Sequence, residues 1–464
     1  MPRADRTETV LPAAIDPVPL LSRYDFASRR AVIAAVSGGS DSLALLFLLK
    51  FFLDNYAPMT RLVAVTVDHG LRQGSDAEAA SVARLAALHG IAHRTMSWRG
   101  QKPATGIPAA ARRARYELLA QAARLEGTDL IFTGHTADDQ AETVLMRQAR
   151  GQGRGLAGMA PVTLFEATAW IVRPLLTVRR EALRDFLRLS EINWLDDPTN
   201  TNQTFERPRL RATLKGDSDN LHVALATADE AAAHRIRLGT EAAALIQTHA
   251  GNPAPDLVRL DHAFFREANR EAAIYALRIL LACVGGASFL PDEARAASIF
   301  DRLGGSPFCA TLSRTVIDMR SGGIFLYREA RDLPQPAEPR AGAIWDGRYR
   351  LNVEDAAKRF LVAPLGPEQA RIELKNLAVS EAEVPPSLIR RALSATPALW
   401  RGTTCVGMIE ADRPRHGIAA SALAAPWASF LPAFDLAPAR VVTALLGGPE
   451  LPDPPLAGHN ERKA

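Results

Sequence analysis

The sequence predicts an α/β fold: a doubly wound, mostly parallel sheet followed by smaller α+β C-terminal domains. Three observations predict it. Short apolar runs at 31–36, 62–67 and 130–133 have the length and composition of strands buried on both faces. Helix-patterned stretches alternate with them, as in a parallel sheet built from crossovers. Past a polar break around 213–222 the alternation stops, and alanine-rich helical stretches take over.

Residues 1–28 read as a polar, proline-containing lead-in, and 29–215 as the first domain. Ala31–Val36 is a buried strand ending in a glycine turn. Residues 42–53, SLALLFLLKFFL, are nearly all apolar and predict a buried helix. Leu62–Val67 is the next strand. Residues 76–89 place Val82, Leu85 and Leu88 at helical spacing, and 109–126 place Leu118, Ala122 and Leu125 on one stripe. Leu130–Thr133 is a further strand, followed by a helix over 137–149.

A second domain is expected over 220–330, with helices at 222–250, 270–284 and 291–303 and a hairpin over 310–328 that turns at Arg320-Ser321-Gly322-Gly323. Residues 331–341, RDLPQPAEPRA, read as a proline-rich linker. A small β-containing domain is expected over 342–425, including Tyr349–Val353, and a disordered, proline- and glycine-rich tail over 447–464.

A chain of 464 residues predicts about three domains at ~150 residues each. Hydrophobic residues at 47% and charged residues at 23% give the balance of a soluble protein. No apolar run approaches the roughly 20 residues of a membrane helix. The N-terminal residues lack the apolar core of a secretory signal, so a cytoplasmic location and no membrane partner are expected. Cys283, Cys309 and Cys405 form no CxxC, which argues against a zinc site, an iron–sulfur site or a disulfide framework. A net charge of +4 permits a nucleic-acid partner without requiring one.

The strongest local signal is Ser37-Gly38-Gly39-Ser40-Asp41-Ser42, between a buried strand and a helix. Adjacent glycines let the backbone turn tightly and approach a ligand. The N–H groups at a helix start carry partial positive charge and receive phosphate well. Serine hydroxyls add donors. Asp41 beside a phosphate makes sense as a Mg²⁺ ligand, and a plain turn N-capped by Ser40 or Asp41 is the alternative. There is no Walker A lysine, and 151–158 does not give GxGxxG.

SGGSDS at this place resembles the PP-loop of ATP pyrophosphatases, enzymes that split ATP between its α and β phosphates. Further motifs follow in order: Val67-Asp68-His69-Gly70-Leu71-Arg72, Ala111-Arg112-Arg113-Ala114-Arg115-Tyr116, Gly134-His135-Thr136-Ala137-Asp138-Asp139-Gln140-Ala141-Glu142-Thr143, Arg173-Pro174-Leu175-Leu176, and Trp194-Leu195-Asp196-Asp197-Pro198-Thr199-Asn200. Together they resemble the tRNA(Ile)-lysidine synthetase family over roughly residues 30–212; the later portion is similar in layout and in short pieces such as Trp345-Asp346-Gly347-Arg348. Two departures stand out. The glycine run Arg150-Gly151-Gln152-Gly153-Arg154-Gly155-Leu156 is one residue shorter than the family's, and Pro208 replaces its asparagine between Arg207 and Arg211.

The resemblance implies a PP-loop, adenine nucleotide alpha hydrolase-like sheet. It implies ATP and Mg²⁺ as cofactors, and L-lysine and a tRNA(Ile) with a CAU anticodon as partners. The wobble cytidine would be adenylated at its C2 oxygen, and the lysine amine would displace AMP. The sequence gives no oligomeric state, with a homodimer as the arrangement left open. A cytidine thiolase is a rival that paired cysteines would mark, and a non-catalytic tRNA-binding protein is a second.

Asp138 and Glu142 share a helix face and with Asp139 form an acidic cluster at the strand ends, suited to Mg²⁺ or to the lysine ammonium. Asp138 as an N-cap is the alternative. Asp68, His69, Gly134 and His135 sit where nucleotide contacts are expected, or where a buried pair and a turn would be. Arg112 and Arg115 share a face that meets phosphates or stays solvated. Arg173, Arg207 and Arg211 are assigned by the resemblance to substrate or to developing charge. No single residue stands out as the base for lysine.

Overall fold

The computed structural model describes residues 15–71, 74–100, 102–151, 153–195, 209–210, 218–266, 269–354, 359–377 and 384–457. The expected residues Arg72, Gln152, Asp196–Asn200, Arg207, Pro208 and Arg211 lie outside them. The chain divides into two units: Met1–His234 with Pro452–Ala464, and Arg235–Leu451.

In the first unit, after a short helix α1 (Val18–Leu21), the elements are β1 (Ala31–Ala35), α2 (Ser40–Tyr56), β2 (Arg61–Asp68), α3 (Ser75–Leu88), β3 (Ala92–Ser97), α4 (Ile107–Leu125), β4 (Leu130–Thr133), α5 (Ala137–Gln148), β5 (Val162–Phe165), β6 (Ala169–Val172) and α6 (Arg180–Leu189). Its strands lie in the order β5-β6-β4-β1-β2-β3. All neighbours are parallel except the β5–β6 hairpin, so the sheet is mostly parallel as its apolar strands predict. Every residue of β1 and β4 is buried, and α2 is sunk into the core through Leu43, Leu45, Leu46, Leu49 and Leu53.

This strand order fixes the site. From β1 the chain moves to β2 and β3 on one side, then returns to place β4 on the other. The reversal opens a crevice beyond the C-terminal ends of β1 and β4, where ligands bind in open sheets. The serine–glycine loop leaves β1 and the Gly134-His135 turn leaves β4, so both face that crevice.

The second unit carries β7 (Ala250–Ala254), β8 (Leu257–Leu260), β9 (Phe308–Leu312), β10 (Thr315–Arg320) and β11 (Gly323–Arg328) in a five-stranded antiparallel sheet of order β7-β8-β11-β10-β9, and β10 and β11 form the expected hairpin with Arg320 opposite Gly323. The proline-rich stretch does not separate independent domains here. One core joins Leu257, Phe325 and Tyr327 of the sheet to Leu365, Leu388, Leu393 and Met408 of the later segment. The expected linker is itself tied in, with Ala337 bridged to Val362.

Buried charge reinforces that junction. Asp346 accepts from Arg328 at 3.1 Å and from Arg348 at 2.8 Å, and it also pairs with Arg314. Arg348 reaches Asp256 at 3.0 Å, and Asp256 accepts from Thr396 at 2.7 Å. The Trp345-Asp346-Gly347-Arg348 turn thus bonds both halves of the unit. Gly347 adopts φ +73°, and a Cβ there would lie 2.1 Å from the Gly286 carbonyl oxygen, so the turn admits only glycine.

One expectation is corrected. Part of the 447–464 tail read as disordered, residues 452–457, is built into the first unit. The Asp25 N–H donates to the Pro455 carbonyl at 3.2 Å, the Ala457 N–H donates to the Arg23 carbonyl at 2.8 Å, and Leu456 bridges Tyr24. Proline and glycine content suggested no core there, yet backbone pairing needs no apolar run. Among the described residues no helix is long and apolar enough to cross a membrane.

Asp346→Asn would leave buried guanidinium groups without their shared anion, which costs about 3–5 kcal/mol for a broken buried pair. Urea unfolding of the full chain should show a correspondingly lower midpoint; an unchanged midpoint would contradict this account of the second unit.

Candidate active site

The loop after β1 is held in shape by its own serines. Ser42 Oγ accepts from the Ser37 N–H at 3.1 Å and donates to the Gly39 carbonyl at 2.9 Å, and it lies 3.2 Å from Ser37 Oγ. Gly38 sits at φ +85°, in the left-handed region, and a Cβ there would press on Leu195 and Val82 at 3.1 and 3.3 Å. The N-cap of α2 is Gly39, with no side-chain cap bond. The plain-turn alternative, in which Ser40 or Asp41 caps the helix, is therefore not what the chain adopts. The first N–H groups of α2 follow a glycine turn, and among the described residues no side chain caps them; free N–H groups at a helix start suit an anion such as phosphate.

Gly134 serves this loop through packing. A Cβ on Gly134 would stand 2.7 Å from the Asp41 carbonyl oxygen and 3.0 Å from the Ser42 nitrogen. Glycine lets the end of β4 close on the start of α2. His135 lies in the same turn, its Nδ1 3.1 Å from Thr133 Oγ1. Thr136, rather than Asp138, N-caps α5. It forms a capping box with Asp139, whose Oδ2 accepts from the Thr136 N–H at 2.9 Å.

The acidic cluster does assemble. Asp138 accepts the Arg180 backbone N–H at 2.8 Å and meets the Arg179 guanidinium at 3.3 Å. The Arg180 side chain enters between Asp41 at 2.8 Å, Asp139 at 2.8 Å and the buried Glu142 at 3.6 Å. Burial pushes the Asp41 carboxyl up from its usual range, and Arg180 opposes that shift. Together the carboxylates and Arg180 link the loop after β1 to α5 and α6. Arg180 escaped the sequence reading because α6 did. Its signal was Leu183, Phe186 and Leu187 at helical spacing, and all three are buried.

At the neighbouring strand end, Asp68 Oδ1 accepts the Gly70 N–H at 2.9 Å. A hydrogen bond from Ser75 and this backbone bond hold Asp68 below the usual carboxylate range. The His69 ring meets Trp98 edge-on at 6.1 Å, with Lys102 Nζ over the Trp98 ring at 4.0 Å. Burial and the nearby Arg115 charge lower the His69 pKa, and its buried Nδ1 lacks a partner among the described residues. Arg112 is exposed, lying over Tyr116 at 5.2 Å, and Arg115 is half-buried.

Arg173, expected at the substrate, lies inside the protein. It is 3% exposed and donates to the Ala160 carbonyl at 2.7 Å and to Thr163 Oγ1 at 2.9 Å. These bonds tie the residue after β6 to β5 and the turn before it, while its buried Nε has no hydrogen-bond partner among the described residues. The shortened glycine run is fastened to α5. Arg147 donates to the Gly155 and Gly158 carbonyls at 2.6 and 2.9 Å, and Gln140 exchanges bonds with Met159.

Residues 16–217 match the PP-loop domain family. The chain is 54% identical over 448 residues to a tRNA(Ile)-lysidine synthase of Mesorhizobium japonicum, covering 95% of this chain and 97% of that one. The chain belongs to the tRNA(Ile)-lysidine synthase family. A Brucella canis tRNA(Ile)-lysidine synthase is 39% identical, over 93% of this chain and 98% of that one. Among solved structures, a U34-tRNA thiolase from Methanococcus maripaludis with its [4Fe-4S] cluster is similar at 17% identity and a TM-score of 0.37, over 44% of this chain and 71% of that one; a likeness this slight carries no argument. As a tRNA(Ile)-lysidine synthase family member the chain is an ATP-dependent ligase.

Gly134→Ala should disturb this site from behind. Forcing a methyl against the α2 backbone costs about 1–3 kcal/mol. It should lower the melting temperature and weaken ATP binding together, as read by thermal melts with and without ATP. Wild-type melting and affinity would refute the close-approach role.

Proposed function

We propose that the chain ligates L-lysine to C2 of the wobble cytidine of a tRNA(Ile) with a CAU anticodon, through an adenylated cytidine. The product would read AUA in place of AUG. The observation that carries this reading is near full-length identity of 54% to a tRNA(Ile)-lysidine synthase, together with a phosphate-ready loop at the crevice of the sheet.

In this reading Ser37, Gly38, Gly39, Ser40 and Ser42 cradle the ATP phosphates by backbone N–H and hydroxyl donors. Asp68, His69, Gly134 and His135 border the nucleotide from the ends of β2 and β4. Among the described residues no three His, Cys, Asp or Glu side chains group as a metal cage. Mg²⁺ carried by the nucleotide needs only one or two protein carboxylates, and Asp41 beside the loop would hold it. When bound, the ion would neutralise charge on the phosphates.

Asp138, Asp139 and Glu142 offer carboxylates to the lysine ammonium, and they sit on the helix that faces the loop. Arg112 and Arg115 lie on α4, where guanidinium groups can orient the tRNA backbone or the phosphates. Arg207 and Arg211 are assigned the same kind of contact from the family motif. The reaction belongs in the cytoplasm, where tRNA is found.

Mass analysis of the anticodon nucleoside after incubation with ATP, Mg²⁺ and lysine should show cytidine converted to lysidine; unmodified cytidine with competent tRNA would sink the proposal. Asp41→Asn should abolish pyrophosphate release while leaving tRNA affinity within about twofold, because phosphate contacts supply most of that affinity and should also make it fall steeply with salt. Normal turnover in this variant would remove the role given to Asp41.

A further inference from the structure

Arg180 is the residue that draws most of the candidate site together. It is the first residue of α6, and its side chain is 14% exposed. Its Nε donates to Asp41 Oδ2 at 2.8 Å, and Nη2 donates to Asp139 Oδ1 at 2.8 Å. Nη1 lies 3.6 Å from Glu142 Oε1, and the backbone N–H donates to Asp138 Oδ2 at 2.8 Å. One residue therefore reaches carboxylates on both α2 and α5.

The second oxygen of the two closest carboxylates is also engaged. Asp41 Oδ1 accepts from Ser40 Oγ at 3.0 Å, and Asp139 Oδ2 accepts from the Thr136 N–H and hydroxyl at 2.9 Å. Both carboxylates are thus fixed in rotation. Asp41 is held with Oδ2 toward α6 and Oδ1 toward the serine of the phosphate loop. A planar guanidinium can serve two carboxylates at once from different nitrogens; an ammonium of the same charge lacks that fork.

We propose that Arg180 is a positioning residue for the nucleotide site: it acts through Asp41, holding that carboxylate in place and coupling the phosphate loop to the acidic helix. This rests on the reading of 37–42 as the phosphate loop. The opposite role would be a tethered cation that keeps the cluster closed until a cationic ligand displaces it. The anchoring favours the strut. The Arg180 N–H is bonded to Asp138, and the helix it begins is pinned by the buried Leu183, Phe186 and Leu187.

The test is a double-mutant cycle on the full-length chain: wild type, Asp41→Asn, Arg180→Met and the double variant. Binding of ATP with Mg²⁺ is measured by calorimetry, and folding by thermal melts. Arg180→Met should weaken ATP binding by about tenfold, the effect of losing a charge-assisted bond of roughly 1.4 kcal/mol. Added to Asp41→Asn, it should weaken binding less than about twofold further, because the two residues act as one unit. Arg180→Lys should recover only a fraction of the loss. Additive losses, or unchanged or tighter ATP binding in Arg180→Met, would overturn the proposal, the last of these favouring the displaceable cation. If Arg180→Met does not fold, the same cycle is run with Arg180→Lys and judged by the same additivity. Wild type that binds no ATP would remove the phosphate-loop reading and this inference together. Wild type that binds ATP and is weakened by Asp41→Asn, with Arg180 variants indifferent, would remove this inference alone.

Discussion

The first unit depends on a helix that begins without a cap. Most helix starts silence their free N–H groups with a serine, threonine or aspartate side chain. Here α5 does so through Thr136 and Asp139, while α2, linked to it through Arg180, presents Gly39 and no side-chain cap. Leaving donors unsatisfied at the end of a buried strand is unfavourable unless an anion or water meets them. Everything around α2 keeps that start rigid: the Ser37–Ser42 bonds within the loop, the close approach of Gly134, and the packing of the helix itself into the core.

The same economy explains the acid–base pairing behind the loop. Asp41 is drawn up in pKa by burial and supported by Arg180, so a carboxylate that would otherwise resist burial is kept beside the glycine loop. Capping and ion pairing share the same side chains: Asp139 gives one oxygen to the helix start and the other to Arg180. Local helix stability and site geometry are consequently not separable in this region. The second unit uses the same device for a different end, with Asp346 and Asp256 gathering guanidinium groups where its two halves meet.

Much of the first unit was legible. Strands such as Leu130–Thr133 and the helix over 42–53 declare themselves because burial on every side demands an unbroken apolar run. β3 did not, since Ala92–Ser97 is an edge strand whose residues are mostly exposed or half-buried. β5 and β6 were missed as a hairpin inside a stretch read for its motifs. Asp41, Asp138, Asp139 and Glu142 were found by motif, but Arg179 and Arg180 are adjacent arginines that look alike in sequence. Only the fold sends Arg179 to Asp138 at the edge of the cluster and Arg180 between Asp41, Asp139 and Glu142. Arg173 shows the reverse: a motif residue whose side chain the fold turns inward.

By itself the sequence determined the alternation of buried strands and helices, the glycine turn at the head of α2 and the order of the motifs, because each follows from side-chain type at fixed spacing along the chain. Tertiary structure alone decided that β1 and β4 lie side by side at the reversal of strand order, that Gly134 touches the loop, and that Arg180 meets carboxylates from two helices. Those contacts join residues far apart in sequence, and no local periodicity encodes which distant backbone will close against which.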